Sequence, residues 1–346
     1  MTFKAIRMHR SIRAFTLIVA AAASLAVYSA PSVRAQQPSS SEQYNTLMTN
    51  RQDMSRRAME EPQRRRFEEK KSDSTFPSDI ANTTKGGVLR ALTPGQQKAL
   101  QHNERGLQLF SKGKLDAAMK AYQEAIHSDP KLAAAHNNLG TAYFAAGRLE
   151  EASAAFHRAC ELDPDYGQAF FNLALTQIRL GYQKEATETL DAALRAYYSE
   201  GKAQLKAGRL KEAEEAFRGM LQIDHEYSLA LMGLGRVYNA AGRYGEAAAK
   251  VRRVTEREPA NAAAHEILAE TLCGEQKYQE AAAAAERALK ISPDSSDAHY
   301  FAGLARAYMG QRDNALAHVA RLRELKAPDR AQQLSDFINK KTPANQ

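Results

Sequence analysis

Beyond residue 98 the apolar positions of this chain recur three and four residues apart, in segments of about fourteen residues separated by short polar turns. That spacing puts one buried face on each of a series of α-helices. The segments come in pairs. An alanine opens the second member of each pair, at Ala118, Ala152, Ala186, Ala213, Ala247, Ala281 and Ala315, and the intervals are 34, 34, 27, 34, 34 and 34 residues. Pro130, Pro164, Pro259 and Pro293 keep the same register, with Pro328 one residue late. Proline lacks the amide donor and crowds the preceding turn, so it stops each second helix. The pattern predicts seven units of helix, glycine-centred turn, helix and stop.

Side-chain size follows the same register. Gly106, Gly140, Gly201, Gly235 and Gly303 share one offset of the first helix, where a second helix must cross closely. Tyr122, Phe156, Leu190, Phe217 and Val251 share one offset of the second helix and fill the space left. The irregularity is the 27-residue interval, which omits seven residues, and no proline occurs from Asp165 to Glu258. Seven residues fall about 20° short of two full helical turns, so the deletion keeps the helix in phase. One long helix over Gln183–Lys206 is expected, with a tight turn near Tyr197-Tyr198 as the alternative. At the far end, Ala331–Lys341 places Leu334, Phe337 and Ile338 on one face, as a capping helix for the last unit requires.

Residues 133–166 carry the fullest version of the pattern: Leu139-Gly140, Tyr143, Ala146-Gly147-Arg148, Ala152, Phe156, Ala159 and Asp163-Pro164. In these residues the chain resembles the tetratricopeptide (TPR) repeat family, whose period is 34 residues. The resemblance covers about residues 99–329. It implies an all-α fold, a right-handed TPR superhelix of about seven helix-turn-helix repeats, interrupted between repeats three and four. The expected organisation is a leader at 1–35, a polar linker at 36–93, a three-repeat lobe at 94–193, a four-repeat lobe at 194–329, and a capping helix with tail at 330–346.

Charge changes the picture because of where it lies. The chain carries +8 overall. Residues 1–35 hold +5 and residues 36–98 hold +3, which leaves 32 basic and 32 acidic side chains from residue 99 onward. A repeat array without net charge is a poor binder of phosphate backbone, so nucleic acid is not an expected partner. Lys4 to Arg13 form a basic stretch, Ala14 to Ala30 an apolar one, and Val33-Arg34-Ala35 a small-x-small cleavage site before Gln36. These are the parts of a secretory signal. Export to a periplasm or cell envelope is therefore expected, with an uncleaved leader as the alternative and the only predicted membrane contact. The linker includes Arg64-Arg65-Arg66-Phe67 flanked by glutamates. This stretch has too little apolar surface to fold by itself and suits a solvated segment or an acidic or anionic partner.

Candidate chemistry is thin. His102, His136, His265 and His299 share a packing offset with Phe170, Tyr197 and Leu231. Equivalent positions in adjacent repeats stand about 10 Å apart, too far for zinc ligands that must converge on one ion. No metal or cofactor is expected. Ser128-Asp129-Pro130-Lys131 has the spacing of a Ser-x-x-Lys nucleophile but falls at a turn, where those residues serve turn geometry. Cys160 and Cys273 lie four repeats apart, beyond disulfide reach. No catalytic constellation emerges, and the chain is expected not to be an enzyme.

Binding is then the expected activity. The TPR resemblance implies a partner segment held in a concave groove lined by the first helices, with protein or peptide as its class. Candidate groove residues are Asn138, Phe171, Asn172, Arg179, Arg195, Tyr198, Lys202, Lys206, Arg236 and Asn239, with Asn137, Met232, Glu266 and Glu270 beside them. The family's clamp for a C-terminal carboxylate uses lysine, arginine and asparagine at fixed offsets. Here Asn103, Leu107, Gln168 and Asn172 occupy such offsets and only Asn138 matches, so a chaperone-tail receptor is not expected. Asn138 and Asn172 resemble two rungs of a family asparagine ladder for peptide backbone, which asparagine suits by offering a donor and an acceptor together. Arg195, Lys202, Lys206 and Arg236 would attract an acidic or carboxylate-bearing segment if they converge. A protein-interaction scaffold for assembly, secretion or polymer export leads the functional classes. A glycan- or cell-wall-binding protein, with Phe171, Tyr198 and Tyr300 as platforms, and an accessory subunit of an enzyme on another chain are the alternatives.

Overall fold

A computed structural model describes residues 92–341. The expected leader and cleavage site, the expected linker to residue 91 and the tail from residue 342 lie outside the described residues. Within them the chain forms fourteen α-helices and no strand. Helices α1 (Pro94–Ser111), α2 (Leu115–Ser128), α3 (Ala133–Ala145), α4 (Leu149–Leu162) and α5 (Gly167–Leu180) precede the longest, α6 (Gln183–Lys206). After it come α7 (Leu210–Ile223), α8 (Ser228–Ala240), α9 (Tyr244–Arg257), α10 (Ala262–Gly274), α11 (Tyr278–Ile291), α12 (Ser296–Tyr308), α13 (Arg312–Glu324) and α14 (Pro328–Lys341). The 27-residue interval is thus bridged by one uninterrupted 24-residue helix, in place of a turn at Tyr197-Tyr198. No described helix is long and apolar enough to cross a membrane.

The described residues divide into two compact units at Tyr197/Tyr198, inside α6. In the first, α1 to α5 and the start of α6 pack in chain order, and α1 also touches α3, as α3 touches α5. Its core runs from Ala118, Met119, Tyr122 and Leu139 to Ala152, Phe156, Ala159 and Leu173. In the second unit, α8 touches α10 and α10 touches α12 in the same way, so first helices line one face. Leu231, Val251, Val254, Ile267, Leu268 and Leu272 form its core. The predicted capping helix is α14, which buries Leu334 and Ile338 against Val319 and Leu322. Stacked Tyr278 and Tyr308 rings, 4.1 Å apart, continue to Phe337 at 4.7 Å. A helix pair alone cannot bury both its faces, and stacking with a cap supplies the missing cover.

The size register is the geometric reason the pairs close. All seven alanines that open the second helices are fully buried. A methyl group added to Gly140 would stand 2.7 Å from the Phe156 ring, and one on Gly106 2.4 Å from Tyr122. Gly201 and Gly235 meet Phe217 at 2.8 Å and Val251 at 2.5 Å in the same way. Where the first helix carries a methyl, the second carries no aromatic ring: Ala174 goes with Leu190, and Ala269 with Ala285, all buried. Between the helices, the turn glycines at 113, 147, 181, 208, 242 and 310 adopt positive φ. The sixth repeat departs from this. Gly274, the only glycine near its turn, instead receives the Tyr244 ring, and Gln276 takes the left-handed conformation with φ 62°.

At the repeat junctions, Asp129, Asp163 and Asp224 each accept a hydrogen bond from the backbone N–H two residues on, at 3.0, 3.1 and 3.0 Å. Ser128 donates to the Glu124 carbonyl at 2.9 Å, so its hydroxyl serves the helix end. The histidine offset has a polar role as well as a packing one. His136, His265 and His299 hold the carbonyls of Pro130, Pro259 and Pro293 through Nε2 at 3.1, 3.0 and 3.0 Å. A carbonyl only accepts, so each ring carries its proton on Nε2. Three latches thus tie a first helix to the stop of the preceding second helix.

Gly140→Ala tests the size register. Alanine favours a helix over glycine by about 0.5–1 kcal/mol, yet overpacking costs about 1–3 kcal/mol. Urea unfolding followed by circular dichroism should show net destabilisation. Adding Phe156→Leu, which recreates the Ala174–Leu190 pairing, should restore most of the loss.

Candidate partner-binding grooves

In the first unit the first helices present amides, and the amides are joined. Tyr197 Oη donates to Gln168 Oε1 at 2.9 Å. Gln168 Nε2 donates to Asn172 Oδ1 at 2.8 Å, and Asn172 Nδ2 to Asn137 Oδ1 at 3.0 Å. Asn137 Nδ2 then reaches Asn138 Oδ1 at 3.5 Å, and Asn138 Nδ2 reaches Asn103 Oδ1 at 2.9 Å. The chain of donors runs one way across α1, α3, α5 and α6. Asn103 and Asn137 are buried, whereas Asn138, Gln168 and Asn172 are half-buried. An amide has two N–H groups and two lone pairs, so every half-buried member keeps capacity after its internal bonds are made.

The predicted rungs Asn138 and Asn172 do not touch; the buried Asn137 joins them. Asn103 and Gln168, noted in the sequence only as mismatches to a carboxylate clamp, are the outer members of this relay. Five amides on three successive first helices were the signal, readable once amides rather than charges were counted. Phe171 departs from expectation. It is 8% exposed, so it belongs to the core and offers no platform. Arg179 lies over the Phe144 ring at 4.9 Å.

Along α6, Arg195, Lys202 and Lys206 are exposed. Lys202 and Lys206, both in the second unit, stand four residues apart, a spacing that keeps them on one helical face, and Arg195 belongs to the first unit. Tyr198 is covered: Lys202 Nζ sits 5.3 Å from its ring centre, and Phe217 meets its ring at 6.3 Å. In the second unit, Arg236 is exposed on α8 and acts on the Glu270 carboxyl of α10. Burial raises the Glu270 pKa, while Asn239 and Arg236 oppose the rise and Asp297 adds to it. Asn239 is itself buried. Its Oδ1 accepts from Thr271 Oγ1 at 2.9 Å, and its Nδ2 makes no hydrogen bond of good geometry. Beyond it, Ser295 Oγ donates to Glu266 at 2.5 Å, Arg330 pairs with Asp297, and the same guanidinium lies 5.3 Å from the Tyr300 ring centre.

Among the described residues, no group of three or more His, Cys, Asp or Glu side chains is placed to hold a metal ion. Cys160 and Cys273 are free thiols, and burial pushes both pKa values to about 12. His318 lies with its Nδ1 3.0 Å from His299 Nδ1. Because His299 spends its proton on the Pro293 carbonyl, His318 is the donor in that pair. Burial, then His299 and Arg306, push the His318 pKa down to about 4.

The fold and its grooves define an α-solenoid of stacked helix pairs. A TPR repeat family model matches residues 106–147 and 140–181, and a tetratricopeptide repeat model matches residues 204–271. The chain is a TPR repeat protein. The stretch between the two matches falls on the shortened interval, where α6 replaces the usual reversal. Among solved structures, a tetratricopeptide repeat protein from Parabacteroides merdae is 18% identical over 70% of this chain and 99% of its own, with a TM-score of 0.39. The peptide-binding TPR protein YrrB is 24% identical over 52% and 96%, at 0.30. The second TPR of Spaghetti, bound to an HSP90 peptide, is 29% identical over 29% and 94%, at 0.29. Comparison with curated proteins gives no match.

The His318 shift makes a pH prediction. An unfolded histidine titrates near 6.5. Between there and about 4 the unfolded chain binds a proton that folded His318 refuses, so stability falls as pH drops through that window. The His136 pKa is lowered too, chiefly by burial, and adds in the same direction. The melting temperature, followed from pH 7 to 4, should decline, and His318→Gln should flatten the decline.

Proposed function

We propose that this chain is a non-catalytic scaffold of the periplasm or cell envelope that holds an extended segment of a partner protein against its first helices. TPR repeats in general form scaffolds for protein–protein interaction. The observation that carries the finer reading is the amide relay. A partner backbone presents alternating N–H and C=O groups, and half-buried amides fixed by buried ones can pair with both without demanding particular side chains. Pre-bonding the relay lowers the ordering cost that binding otherwise incurs. Lys202 and Lys206, exposed on one face of the second unit's part of α6, suit an acidic stretch of a partner segment. The glycan reading loses its platforms, because Phe171 is buried, Lys202 covers Tyr198 and Arg330 covers Tyr300.

Replacing one neutral hydrogen-bonding side chain costs about 1 kcal/mol, so an Asn138→Ala, Asn172→Ala double variant should bind its partner roughly 10-fold or more weakly. The readout is quantitative mass spectrometry of proteins captured from an envelope extract, with melting temperature measured in parallel to separate binding from folding. Lys202→Glu with Lys206→Glu should weaken capture further at low salt than at high salt. Capture unaltered in both variants would remove the groove reading.

The exported location rests on the leader pattern at residues 1–35. Fractionation of cells producing the full chain, with N-terminal sequencing, should find it outside the cytoplasm and beginning at Gln36. A cytoplasmic chain that retains the leader would refute the location.

A further inference from the structure

The outer side of the first unit has an acidic-rimmed apolar depression, independent of the groove reading. It opens between α4, α5 and α6 and measures about 440 Å³. Its floor is Cys160, Phe170 and Leu173; its rim is Glu161, Glu185 and Glu188. Glu161 is spent on Arg158 and His157, at 2.9 and 3.4 Å. Glu185 and Glu188 are exposed and form no ion pair among the described residues. Gln177 also lines the depression, and its buried Oε1 has no hydrogen-bond donor. The site therefore calls for an apolar group flanked by cations that donate hydrogen bonds.

This chain contains an aromatic ring preceded directly by three cations. Residues 36–98 carry +3, and within them Arg64-Arg65-Arg66-Phe67 sets three guanidinium groups beside one aromatic ring, with Glu60, Glu61, Glu68 and Glu69 outside them. We propose that this segment docks on the depression of its own chain, with Phe67 on the Phe170–Leu173 floor and the arginines on Glu185 and Glu188. Guanidinium groups suit the rim because they pair with carboxylates in a bidentate fork and stack on aromatic faces. Reach is sufficient. Phe67 lies 25 residues before Leu92, where the described chain begins in the same unit, and 25 residues extend to about 80 Å. Neighbouring helices are spaced about 8–10 Å, so a depression on the third repeat lies within that reach. The docked segment covers the outer side of the first unit and leaves the first-helix groove open.

The test uses the full chain with a photo-crosslinking phenylalanine analogue at position 67. Irradiation should join that position to residues within 157–192, in a yield that does not change on dilution. Glu185→Lys with Glu188→Lys should reduce the yield at least about 10-fold, the effect of about 1.4 kcal/mol. Trypsin should cut at Arg64–Arg66 about 10-fold faster in that variant, and faster in wild type at about 1 M salt, where screening is nearly complete at contact distances. Both substitutions are on an exposed helix surface, and an unchanged melting temperature confirms that the fold is intact. Crosslinks outside 157–192, or a yield and cleavage rate equal in wild type and variant, overturn the proposal. A yield that rises with concentration and joins two chains assigns the depression to a second copy and overturns docking within one chain.

Discussion

Everything in this protein depends on how closely two helices of one repeat can approach. The distance is set by a glycine or alanine on the first helix lying under a larger side chain on the second. With Gly140 beneath Phe156, or Gly235 beneath Val251, backbone meets side chain with no room for another methyl group. Protein interiors are packed about as tightly as organic crystals, so a contact this close fixes the angle of the pair. That angle decides which first-helix positions line a face and which lie in the core. The amide relay follows from it: hydrogen bonds of 2.9–3.0 Å between side chains 29 or 35 residues apart in sequence need helices held to a fraction of an ångström.

The same constraint explains why chemistry is sparse. Three of the four histidines at one offset point to the same place, namely the proline carbonyl of the preceding junction, while His102 meets Glu124 instead, and each ring is engaged within its own neighbourhood. One histidine pair, His299 with His318, joins a first helix to the second helix of its own repeat. Carboxylates at the starts of second helices are dispersed for the same reason. Repetition spreads identical groups along a line, whereas a catalytic centre needs unlike groups brought to a point.

Much of the fold could be read in the sequence because the repeat period is a packing period. The alanine register, the Gly140–Phe156 pairing, the cap at Leu334 and Ile338, and the fused helix over Gln183–Lys206 were all legible. The deletion of seven residues conserved helical phase, and phase is a local property. The grooves were legible in a different measure. Offsets identified which residues face inward, but not what each spends its hydrogen bonds on. Asn138 and Asn172 were seen as separate rungs because Asn137 lies next to Asn138 in sequence, and adjacency does not reveal that its Oδ1 accepts from the following repeat. Phe171 went the other way: its offset faces inward, yet a large ring at a half-open position gains more from burial than from exposure. The turn of the sixth repeat misleads for a similar reason. A glycine is present there, but the Tyr244 ring requires it at 274, and Gln276 is left to take the positive φ.

The units differ in how they satisfy polar groups, and the difference bears on binding. The first uses neutral amides, which a partner backbone can join without displacing a charge. The second uses charged groups already engaged: Asp297 pairs with Arg330, Glu266 accepts from Ser295, and Arg236 acts on the buried Glu270 carboxyl. A partner entering the second groove must compete with the Arg330–Asp297 ion pair and the hydroxyl on Glu266, at a desolvation cost that Coulomb attraction seldom exceeds by much. A partner entering the first groove exchanges water for amides that are already ordered. Affinity for a main chain should therefore concentrate in the first unit. The second, where Lys202, Lys206 and Arg236 are among the exposed cations, is better suited to setting which charged segments are accepted.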